Sequence, residues 1–67
     1  MAVSIRNKLS GEVKEVKLGT VMAEVIVKVG DNQMVSAITR DAAEELALKA
    51  GDKVTVLVKS TSVMIQK

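Results

Sequence analysis

The sequence contains no cysteine and no histidine. The first absence excludes disulfides, and the two together remove the commonest transition-metal ligands. They also remove the usual nucleophile and the usual general base. No carboxylate cluster takes their place: Glu44 and Glu45 are adjacent, but neighbouring residues on a helix diverge in direction, so the pair reads as a solvated face. There is no Gly-rich phosphate loop, and an enzyme is not expected. Aromatic residues are absent as well, which removes the platforms on which single-stranded nucleic acid stacks its bases. Neither charge dominates: ten Lys and Arg against eight Asp and Glu leave a net charge of +2, interspersed without the basic stripe that neutralises a phosphate backbone. No apolar run approaches the roughly 18 residues needed to span a bilayer, and the start lacks the charged-then-apolar layout of a signal peptide. The expectation is a cytoplasmic chain with neither a nucleic-acid nor a membrane partner.

What is present is a short, strongly aliphatic chain. Its 67 residues read as one domain, 1–67, and 48% of them are hydrophobic, all of it Val, Ile, Leu, Met and Ala. A domain of this size buries only roughly 60% of its unfolded surface. Small folds make up the deficit with disulfides, metals or oligomerisation. With the first two unsupported, self-association is expected.

From Val3 to Leu18 the residues alternate, placing Ile5, Leu9 and Val13 on one face and Ser4, Arg6, Lys8 and Ser10 on the other. The apolar parity then switches to Val16 and Leu18, as a β-bulge near Lys14 and Glu15 would produce. Gly19 and Thr20 mark a turn. Val21, Ala23, Val25, Val27 and Val29 keep strict period two through a second strand. Gly30-Asp31-Asn32-Gln33 has the composition of a hairpin connection, and a third strand runs from Met34 to Ile38.

Thr39 can cap a helix of about two turns with Asp41 in its first turn and Ala42 to Ala47 as its body. Lys49-Ala50-Gly51-Asp52 ends it and leads into a fourth strand through Val54, Val56 and Val58. Lys59-Ser60-Thr61-Ser62 is a polar turn, and Val63-Met64-Ile65 reads as a final short strand. The order β-β-β-α-β-β is that of an all-β OB-fold, a five-stranded Greek-key barrel with one helix between strands three and four. Met22, Ile26, Leu57 and Met64 fall on second faces that a lone barrel would expose, and exposed apolar surface of that extent marks an interface.

Two polar clusters remain. Ser4 and Arg6 stand two apart in the first strand, so a hydroxyl and a guanidinium leave the same face. Lys59 and Ser60, at the end of strand four, offer an ammonium, a second hydroxyl and turn amides. Such donors, with no carboxylate among them, suit a tetrahedral oxyanion. On spacing alone, each is equally an ordinary surface residue at a strand end.

The stretches Val3-Ser4-Ile5-Arg6-Asn7-Lys8-Leu9-Ser10-Gly11, Gly19-Thr20-Val21-Met22-Ala23-Glu24-Val25, Val35-Ser36-Ala37-Ile38-Thr39 and Val58-Lys59-Ser60-Thr61-Ser62-Val63-Met64-Ile65 together resemble the molbindins, the Mop-domain proteins. The resemblance covers essentially the whole chain. It implies an OB-type barrel assembled as a hexamer, a trimer of dimers, that stores or buffers molybdate or tungstate at sites shared between subunits, with no organic cofactor. On the family pattern Ser4, Arg6, Lys59 and Ser60 are the anion ligands, contributed by different subunits. Asn7 and the region Thr20, Val21, Met22 and Ala23 are accessory candidates. The chain departs from the usual S-A-R-N at Ile5 and from the usual K-S-T-D at Ser62, the second change removing a negative charge near the ligands.

Two other readings compete. Ile38 to Val58, with Leu46, Leu48 and Gly51-Asp52-Lys53-Val54, resembles half of an AbrB-type swapped-hairpin DNA-binding factor, although no proline precedes the helix and the net charge is small. The other is an aromatic-free OB domain that only mediates assembly. It predicts oligomers whose thermal stability ignores anions.

Overall fold

A computed structural model describes residues 7–67, so Ser4, Ile5, Arg6 and the expected start of the first strand at Val3 lie outside the described residues. The alternating N-terminal segment forms a 12-residue strand, β1 (Asn7–Leu18), which pairs antiparallel with both β2 (Met22–Val29) and β4 (Lys53–Val58). Along β2 the register runs from Glu12↔Lys28 and Val13↔Val27, then slips to Glu15↔Ile26 and Val16↔Val25. Lys14 is the extra residue. The bulge lies where the parity switch predicts it, and its effect is to keep Val13 and Val16 on one face although they are three apart.

The β2–β3 connection is tighter than its composition suggests. Val29 pairs with Asn32, leaving Gly30 and Asp31 as a two-residue turn in which Gly30 takes φ +59°, the left-handed conformation glycine adopts without steric cost. β3 therefore runs Asn32–Thr39. Thr39 caps α1 (Arg40–Glu45), its hydroxyl accepting from the Ala42 N–H at 3.1 Å. The helix is shorter than expected. Ala47, read from sequence as helix body, has φ 51°, and its N–H donates to the Glu44 carbonyl while that of Leu48 donates to Ala43. This is a Schellman ending with alanine where glycine is usual. The reversal lets Leu48 pack on the core.

The four strands of the described residues lie in one antiparallel sheet of order β3-β2-β1-β4. This order, with the helix between β3 and β4, fits an OB-fold, but the expected fifth strand does not form. Ser60–Ser62 is a 3₁₀ turn that carries the chain off the end of β4, and Val63, Met64 and Ile65 pair with no described strand. Val, Met and Ile favour a strand only when a neighbouring backbone supplies the ladder; Met64 and Ile65 are instead 92% and 90% exposed. In a closed five-stranded barrel the fifth strand stands between β3 and β4, the two edges left open here.

The core is aliphatic. Val13, wholly buried, meets Val25 and Val27, with Val16, Val29, Ile38, Leu48, Val54 and Val56 packed around them. Each buried Val or Leu contributes about 1.5–3 kcal/mol relative to exposure. Beside this cluster the concave face forms an open groove of about 590 Å³, its walls including Val13, Val25, Val27, Ile38, Leu46 and Val54. The opposite face leaves Met22, Val35 and Leu57 exposed and Ile26 half-buried, with Ile26 directly across from Val35. No helix among the described residues is long and apolar enough to cross a membrane.

Candidate functional site

Among the described residues the β1–β4 ladder runs from the pair Asn7↔Val58 to Glu12↔Lys53. Next to the first pair, in sequence, stand Arg6 on one side and Lys59 on the other. Opposed residues in an antiparallel pair have Cα atoms about 4.5–5.5 Å apart, and consecutive residues are about 3.8 Å apart. Asn7 and Val58 are therefore close neighbours across the strand pair, with Lys59 the next residue along the chain after Val58. Of the two expected ligand-bearing segments, Lys59 and Ser60 follow this end of β4, and Ser4 and Arg6 lie outside the described residues.

A side chain reinforces the backbone pairing there. Asn7 donates from Nδ2 to the Val58 carbonyl at 3.1 Å, in a part-buried position. Lys59 follows in extended conformation (φ −65°, ψ 133°) and accepts at its carbonyl from the Ser62 N–H at 2.9 Å. The Ser60 carbonyl accepts from Val63 at 3.4 Å. Lys59 and Ser60 are both exposed.

The electrostatics of this end differ from the rest of the molecule. All eight side-chain carboxylates fall between Glu12 and Asp52, so neither the segment leading into β1 nor the one leaving β4 carries an acid. Lys14, Lys17, Lys49, Lys53 and Arg40 pair with carboxylates. Among the described residues Lys8, Lys28, Lys59 and Lys67 pair with none. Further along β1, the Lys53 ammonium donates to Glu12 at 3.2 Å and Lys14 stands 3.6 Å from the same carboxylate. That hydrogen bond, helped by both positive charges, holds the Glu12 carboxyl below its ordinary value.

The accessory candidates separate. Asn7 belongs to the end just described. Thr20, Val21 and Met22 are exposed in the β1–β2 turn, at the other end of β1. The length of β1 separates them from Asn7 in the same subunit. Ala23 is 2% exposed and pairs with Leu18 and Ile38, so its side chain belongs to the core. The turn is closed by Gly19 N–H donating to the Met22 carbonyl at 2.8 Å and braced by Arg40. The Val58 carbonyl is the participant that sequence reasoning misses. No side chain advertises it, and only the pairing register places it against Asn7.

The sequence matches the TOBE domain family over residues 3–65. It is 47% identical over 66 residues to molybdenum-pterin-binding protein 2 of Clostridium pasteurianum, covering 97% of each chain. It is 36% identical over 66 residues to a probable molybdenum-pterin-binding protein of Haemophilus influenzae, covering 97% of this chain and 96% of that one. The fold superposes on the structure of a molybdate-binding protein from Sporomusa ovata with a TM-score of 0.94 at 46% identity, over the whole of both chains. These relatives are named as binding proteins rather than enzymes, and the AbrB-type reading is not favoured. The chain belongs to the TOBE-domain family, in its molbindin (Mop) branch.

Proposed function

We propose that this protein binds molybdate or tungstate without catalysis, for storage or homeostasis in the cytoplasm. The ligands are Ser4 and Arg6 from the segment entering β1 and Lys59 and Ser60 from the turn leaving β4. Arg6 and Lys59 balance the two negative charges, while the hydroxyls of Ser4 and Ser60 and nearby amides fill the oxygen shell. The sites are shared between subunits of a hexamer, a trimer of dimers, and no organic cofactor takes part. The observation that supports this reading is the Asn7↔Val58 pair, next to Lys59 and Ser60, together with the absence of any side-chain carboxylate before Glu12 or after Asp52 in the sequence. Assembly is supported by the exposed apolar side chains of Met22, Val35, Leu57, Met64 and Ile65, more than a lone small domain ordinarily leaves uncovered.

Calorimetric titration with molybdate, tungstate, sulfate and phosphate, with native mass measurement of the oligomer, tests the proposal. The expected result is binding of molybdate and tungstate by a hexamer, with an anion-dependent rise in melting temperature and binding weakened at least tenfold in Arg6→Ala and in Lys59→Ala. No molybdate binding by the intact oligomer overturns the function. Unchanged affinity in both variants overturns the site.

A further inference from the structure

We infer that Asn7 is not an anion ligand but a positioning residue, a latch that sets the direction in which Lys59 leaves the sheet; this rests on the oxyanion-binding reading above. The carbonyl that accepts from Asn7 Nδ2 at 3.1 Å is that of Val58, and Val58 C=O and Lys59 N–H belong to one rigid peptide plane. Fixing the carbonyl therefore fixes the plane that feeds Lys59. Val58 is the last residue of β4, so this carbonyl sits immediately before Lys59 leaves the strand. The next constraint lies beyond it, where the Ser62 N–H meets the Lys59 carbonyl. Asn7 is also covalently joined to Arg6. One amide side chain thus ties β1 to the residue of β4 that precedes Lys59.

The chemistry of the position requires a neutral donor. A carbonyl oxygen accepts only, so the latch needs an N–H or O–H. A carboxylate here would face that carbonyl with no proton to give and would add a negative charge beside an anion site. With its amide committed to Val58 in a part-buried position, Asn7 is placed to organise the site rather than to enter the ligand's shell.

The test compares Asn7→Ala and Asn7→Asp with the native chain and with Lys59→Ala, using molybdate titration of the oligomer together with the amide spectrum and hydrogen exchange of Lys59. In both Asn7 variants the expected molybdate affinity is about tenfold lower, the loss of one oriented hydrogen bond, and Asn7→Asp is the weaker of the two. The Lys59 amide resonance shifts and its exchange quickens, while amides of β2 and β3 keep theirs. Val56→Ala, a core truncation in the same strand pair, controls for general destabilisation and is expected to lower the melting temperature with smaller loss of affinity. Native affinity in Asn7→Asp, with Lys59→Ala impaired, overturns the latch and leaves the function standing. Equal affinity losses in Asn7→Ala and Val56→Ala, with the Lys59 amide unmoved, make Asn7 merely structural and overturn the latch as well. Failure of the native chain to bind molybdate is the separate result that removes the reading beneath it.

Discussion

Arg40 donates from Nη1 to the Gly19 carbonyl at 3.2 Å, joining the first residue of α1 to the β1–β2 turn. The same guanidinium donates from Nε to Glu44 at 2.7 Å, and the Arg40 backbone N–H donates to the Val21 carbonyl at 2.8 Å. The turn and the helix are thereby one mechanical unit.

Arg40→Ala is expected to cost about 0.5–1 kcal/mol, since the side-chain bonds are solvent-exposed and the i,i+4 pair with Glu44 adds only a few tenths. Urea denaturation measures this. Faster hydrogen exchange confined to residues 19–22 would mark the loss as local rather than global.

Ala47→Gly is expected to stabilise the fold by about 0.5–1 kcal/mol. Ala47 occupies the left-handed region at φ 51°, where an L side chain costs roughly 1–2 kcal/mol and glycine does not, a gain partly offset by the greater freedom of glycine in the unfolded chain. A rise in the denaturation midpoint without change in its slope is the expected readout.

Gly11→Ala is expected to destabilise by about 1–3 kcal/mol. A Cβ at Gly11 would lie 2.6 Å from Val27 Cγ1 and 2.9 Å from the Lys28 carbonyl oxygen; the valine can shift, but the backbone oxygen belongs to the β2 ladder. Thermal unfolding checks it.

The Glu12 carboxyl is held below its ordinary value of 4.5 by its hydrogen bond to Lys53 and the nearby Lys14 charge. A group whose folded pKa is depressed adds stability above its ordinary value, and that contribution is lost as pH falls through the folded value. Melting temperature should therefore fall as pH drops below about 4.5, and Glu12→Gln should fall less steeply over that window. The carboxylate is exposed, so the difference is small, on the order of 1–2 °C.

Much of the fold was legible because it is written in local alternation. The switch from Val13 to Val16 announced the bulge, and Thr39 three residues before Ala42 announced the cap. Two features were hidden for different reasons. Ala47 is the best helix-former by propensity, and what turns it left-handed is the need of Leu48, downstream, to reach the core. Val63 to Ile65 have strand-forming side chains, but a strand exists only with a partner backbone, which residue preference does not encode. Of the candidate site, Ser4 and Arg6 lie outside the described residues, and the contact at Asn7 was not legible. Asn7 and Val58 are 51 residues apart, and their meeting depends on the β1–β4 register.

The confinement of side-chain carboxylates to the stretch from Glu12 to Asp52 has a kinetic consequence. The protein carries almost no net charge, yet its surface potential is uneven, with the end of β1 and β4 holding cations that no nearby acid neutralises. A dianion diffusing toward the molecule is steered to that end before any contact forms. Its capture rate should decline with added salt far more than a net charge of +2 alone would produce.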